Sequence, residues 1–109
     1  MKPELKGFDS FPSETTSFTN GWFRMLIGPA GGDGEESFDV FVCTPEWSSS
    51  PSKREKAPRA LVIDEMNVHK IEEILRARVD AVEGQSWGEI AAELSKFSYW
   101  EFDGYLKSE

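Results

Sequence analysis

Between Ile27 and Trp47 the chain reads IGPAGGDGEESFDVFVCTPEW, and no other stretch leaves its backbone so little choice. Ahead of it, Trp22 to Ile27 is apolar apart from Arg24, so the region is predicted as strand, turn, strand. The turn, Gly28 to Gly34, holds four glycines that tolerate positive φ and a proline that cannot donate. Ser37 to Thr44 is rich in Phe and Val, which suit a pleated, buried surface. Alternation puts Phe38, Val40 and Val42 on one face and Asp39, Phe41 and Cys43 on the other. A strand apolar on both faces belongs inside a sheet. Pro45 lacks the N–H a ladder needs, so the strand should stop near Thr44.

The remaining chain reads as strands first and helices last. Pro3 to Phe11 is predicted as a strand with Leu5 on one side and Lys6, Phe8 and Ser10 on the other. Ser13 to Thr19 is a polar connection leading through Asn20-Gly21 into the strand Trp22 to Ile27. After Trp47, SSSPSKREKAPR has the serines, prolines and charges of a flexible surface loop. Arg59 to Glu65 is predicted as a fourth strand. Asn67 can cap a helix whose apolar positions are Val68, Ile71, Ile74, Leu75, Val79 and Val82, with Gly84 as its stop. Glu72 and Arg76 are spaced for an i,i+4 pair on its solvated face. Ser86 to Glu89 has capping-box spacing ahead of Ile90, Ala91, Leu94 and Phe97. Tyr99 to Tyr105, aromatic and acidic together, could finish that helix or add a short strand. The expected fold is therefore α+β, an antiparallel sheet of about four strands with the two C-terminal helices packed on one face. Phe38, Val40, Val42, Trp22 and Trp47 are expected to be structural. At 109 residues the chain is expected to form one domain, residues 1–109.

Charge narrows the partners. The net charge is −8, yet Lys53 to Arg59 holds four of the twelve basic residues and one of the twenty acids. Eight basic residues against nineteen acids remain elsewhere, a net −11. Phosphate binding needs clustered Lys and Arg, so nucleic acid is disfavoured and a basic protein partner is favoured. Acidic surfaces also serve solubility alone. No apolar run approaches the ~20 residues needed to cross a bilayer, and MKPELKGF lacks the apolar core of a signal peptide, so the expected location is the cytoplasm and no membrane partner is expected.

The residues do not assemble into an enzyme. His69 is the sole histidine and Cys43 the sole cysteine, and no spacing brings them together. Glu35-Glu36 and Glu72-Glu73 are adjacent in sequence, so on a regular element their members point apart. The glycine-rich turn lacks the Lys and helix of a phosphate loop and is followed by two acids. No catalytic residue, metal site, cofactor or small-molecule substrate is expected.

The run GEESFDVFVCTPEW, following IGPAGGD, resembles the signature of the bacterial immunity protein 8 family, which accompanies polymorphic, often contact-dependent, toxins. Gly28, Pro29, Gly34, Glu35, Glu36, Phe38, Asp39, Val42, Cys43, Pro45 and Trp47 are among the matching positions, and Glu46 and Ser48 depart from the pattern. The resemblance covers about a fifth of the chain closely and implies a protein that binds and silences a cognate toxin without catalysis. Read against the charge pattern, the toxin-binding candidates are Asp33, Glu35 and Glu36 beside the turn, and Trp100, Glu101 and Asp103 near the C-terminus. A nuclease is the favoured toxin. The alternative is an interaction or structural domain unrelated to toxins.

Overall fold

A computed structural model of the protein describes residues 1–10 and 18–102. Three long strands form a meander: β1 (Pro3–Ser10), β2 (Asn20–Pro29) and β3 (Glu36–Cys43) pair antiparallel in sequence order. Beyond β3 come two short helices, α1 (Pro45–Ser48) and α2 (Pro51–Lys56), then β4 (Leu61–Val62), α3 (Val68–Asp80), α4 (Trp87–Leu94) and β5 (Tyr99–Trp100). β4 and β5 share the far edge of β3: β4 lies parallel beside Val42 and Cys43, and β5 antiparallel beside Phe38 and Asp39. β3 is thus interior, as its two apolar faces require.

Alternation along β3 buries Phe38, Val40 and Val42 completely, with Phe23, Met25 and Ile27 of β2 beside them. Ile71, Leu75 and Val79 of α3 and Ile90, Ala91 and Leu94 of α4 complete the same core, so both helices cover one sheet face. Each helix begins where its sequence says. The Asn67 side chain accepts from Lys70 N–H, and Ser86 Oγ accepts from Glu89 N–H. Glu89 Oε1 in turn accepts from Gln85 N–H at 3.2 Å, one residue further back than in a standard capping box. Arg76 pairs with Glu72 at 2.8 Å.

Several details differ from the sequence reading. In β1 the register shifts between Leu5 and Gly7, which leaves Lys6 as an inserted residue. Leu5 and Phe8 therefore share the core face rather than opposite ones, and Phe8 stacks on Phe23 at 5.3 Å. The loop expected after Trp47 contains α2, and α1, which includes Trp47, leads into it; each has Pro at its first turn, where a missing N–H costs nothing. The fourth strand is only two residues long, and it is parallel to its neighbour. α3 ends at Asp80, short of Gly84. Gly84 is instead packed against α4, where a Cβ would come within 3.1 Å of Glu89 Cβ and 3.3 Å of Ile90 Cγ1. Val68 and Ile74, assigned to the apolar stripe, are 50% and 36% exposed, so α3 buries a narrower band. Phe11 and most of the expected 13–19 connection lie outside the described residues.

Candidate functional site

The β2–β3 turn is built by close backbone approach. Gly31 and Gly34 have φ of 75° and 91°, and a Cβ on Gly28 would lie 2.0 Å from the Gly34 carbonyl oxygen. No side chain fits there. The bulge in β1 serves the same turn, because the inserted Lys6 reaches across and donates its ammonium to the carbonyls of Gly32 and Gly34.

The structure gathers most of the sequence candidates at this end of the sheet, but in different roles. Asp33 and Glu35 are exposed, and neither forms a hydrogen bond or ion pair among the described residues. Glu36 is half-buried. Its Oε1 accepts from Trp87 Nε1 at 2.6 Å and from Trp100 Nε1 at 2.8 Å, so one carboxylate oxygen ties α4 and β5 to the start of β3. Trp100 lies stacked over Phe38 with centroids 6.2 Å apart, and Trp87 meets the edge of the same ring at 6.4 Å. Glu101 is exposed, yet its Oε1 accepts from Ser37 N–H at 2.8 Å while its own N–H donates to the Ser37 carbonyl at 3.0 Å. Asp103 lies outside the described residues. Between the turn and Trp87 is a cavity of about 310 Å³ whose walls include Ile27, Pro29, Asp33, Glu35 and Glu36.

Trp87 is the residue at this end that local spacing does not reveal, because in sequence it is only an interior position of a capping box. Its signal was chemical: an indole in the first turn of an amphipathic helix needs an acceptor for its N–H, and Glu36 is that acceptor.

The opposite sheet face carries a second cluster. Trp22 packs on Phe41 at 5.2 Å and on Tyr99 at 5.7 Å, and Phe41 packs on Trp47 at 4.8 Å. Arg59 lies over Tyr99 at 4.6 Å and Lys53 over Trp47 at 5.7 Å, placing cations on the negative ring faces. Trp22 and Trp47 are thus half-buried on the side away from the helices, not in the main core. Next to them Arg24 grips Asp39 through two bonds of 2.7 and 3.0 Å. That hydrogen bond holds the guanidinium above its ordinary range, with burial opposing.

Cys43 is fully buried, and burial pushes its thiol up, away from the reactive thiolate. His69 is exposed at the start of α3. Among the described residues no three His, Cys, Asp or Glu side chains are grouped to hold a metal ion, and no helix is long and apolar enough to cross a membrane.

No curated protein and no solved structure matches the chain. The family model for immunity protein 8 matches residues 3–105, taking in every strand and helix described above; the chain belongs to the immunity protein 8 family, and so to the proteins that bind partner toxins in toxin–immunity systems.

Proposed function

We propose that this protein binds a cognate bacterial toxin domain in the cytoplasm of the cell that makes it and neutralises it by non-covalent occlusion, with the turn end of the sheet as part of the contact. Family membership over nearly the whole chain supports the toxin as partner. The observation that carries the surface is the pair Asp33 and Glu35, exposed and without a partner among the described residues, on a turn whose backbone is fixed by Gly28 and Lys6. Fixed charges steer encounter without an ordering cost, and an inhibitor must saturate its target before damage accumulates. A few desolvated anchors within an interface of ~1,600 Å² would then slow release. A nuclease of the polymorphic, contact-dependent kind suits this inhibitor best, because an enzyme that grips phosphates presents a basic surface to an acidic one. Glu36, Trp100 and Glu101 act here as supports, since each is engaged inside the protein.

Co-purification tests the partner: the toxin domain encoded immediately upstream should emerge from cells with this chain. Stopped-flow association over a range of salt tests the surface. Asp33→Lys and Glu35→Lys should each slow association at low salt and flatten its salt dependence, with folding unchanged. Unchanged rates for both would remove the turn end from the contact, and failure to recover the toxin would remove the function.

A further inference from the structure

Among the described residues, β4 is bonded on one side only. Ile63 N–H donates to the Cys43 carbonyl at 2.9 Å, and Leu61 and Val62 run beside Val42 and Cys43 in parallel register. Alternate residues of a strand bond to the same neighbour, so the N–H and C=O of Val62 point to the open side, where neither forms a hydrogen bond among the described residues. The Val62 side chain, 47% exposed, lies on the face away from α3 and α4. It borders a groove of about 360 Å³ shared with Trp47, Arg54 and Pro58. α2 supplies the charge: Arg54 forms part of the groove wall and Lys56 follows it, both exposed and without an ion pair among the described residues. An unpaired strand edge, an apolar floor and a cationic wall thus meet in one place. Within a chain of net charge −8, Arg54 and Lys56 belong to the basic run Lys53 to Arg59.

We propose that this groove docks an extended segment of a partner protein that carries a carboxylate two residues from an aliphatic residue, so that both side chains fall on one face of the added strand. The segment's backbone pairs with the N–H and C=O of Val62 as a further strand, as in β-strand addition. Its aliphatic side chain covers Val62 and Pro58 against the Trp47 ring, and its carboxylate meets the Arg54 guanidinium, which is suited to gripping a planar anion. A peptide satisfies all three features. Nucleic acid would use the charge but leave the backbone edge unpaired. This site lies beyond the opposite end of β3 from the turn and stands independently of the toxin reading, because any protein with such a segment would fit it.

The test uses the full isotope-labelled chain and two acetylated, amidated pentapeptides, Thr-Val-Thr-Glu-Thr and Thr-Val-Thr-Lys-Thr, whose second and fourth side chains share a face. The glutamate peptide should shift the Val62 amide and the Trp47 indole N–H saturably and slow exchange of the Val62 amide, and the lysine peptide should bind at least about tenfold more weakly. Arg54→Glu, an exposed change on α2, should reverse that preference. The proposal is overturned if neither peptide moves Val62, if both move it equally, or if Arg54→Glu leaves the preference as it was. It is overturned as well if a single-stranded oligonucleotide shifts the two signals more strongly than the glutamate peptide. None of these readings involves a toxin, so the proposed function can fail while this site holds, or the reverse.

Discussion

At the scale of single residues, Glu36 has the largest reach, because one of its oxygens satisfies two indole N–H groups from distant parts of the chain. Replacing it with Ala strands both donors in a half-buried place, where hydrogen bonds to charged groups are worth ~1.5–3 kcal/mol each. Urea denaturation of Glu36→Ala should therefore show a loss of about 3 kcal/mol, while Glu36→Gln, which keeps an acceptor, should lose less. A variant that unfolds like the parent but no longer binds its partner would move Glu36 from support to interface. Gly28→Ala is the severest small change, since its methyl would coincide with the Gly34 carbonyl; it should fail to reach the native hairpin, visible as loss of dispersed amide signals. Cys43 gives a pH prediction with a definite sign. Burial raises its folded value above 9.0, so its contribution to stability is fully present below that pH and is lost as pH rises toward the folded value. Thiol-reactive reagents at neutral pH should modify it only at the rate of unfolding.

At the scale of elements, the two long helices were legible because their signals are local. Asn67 and Ser86 cap through bonds to residues three positions on, and Ser86→Ala or Asn67→Ala should each cost about 1 kcal/mol in thermal or urea melts. The β2–β3 hairpin was legible for the same reason, as glycines at positive φ announce a turn wherever they occur. What the sequence concealed depends on contacts made far away. The bulge at Lys6 exists because Leu5 and Phe8 both need the core and the Lys6 ammonium has carbonyls to reach in the turn. The helical form of Pro45–Ser48 and Pro51–Lys56 was hidden by a composition suited to a linker, though Trp47 has Phe41 to pack on and Lys53 has Trp47. At the candidate site, sequence placed Asp33 and Glu35 correctly beside the turn. It could not distinguish them from Glu36, whose role is decided by indoles more than fifty residues away.

At the scale of the whole molecule, β1 is an outer strand whose exposed edge is managed by two devices. The bulge at Lys6 interrupts its ladder, and Arg76 of α3 donates Nη1 to the Leu5 carbonyl at 3.1 Å while Nη2 holds Glu72. Arg76→Ala frees that carbonyl, and light scattering at high protein concentration should then report more self-association than for the parent. The far side of the sheet is closed differently, by short strands that arrive late in the chain. Tyr99, which opens β5, lies 56 residues after Cys43, the end of β3. At ~5–20 residues per second, a ribosome needs roughly 3–11 seconds to cover that distance, during which β3 has β2 on one side and no β5 on the other. Glu36 likewise waits for its second indole until translation passes Trp100. A nascent chain stalled before Tyr99 therefore leaves the edge of β3 beside Phe38 and Asp39 uncovered, and it offers chaperones an apolar edge that the finished chain has paired.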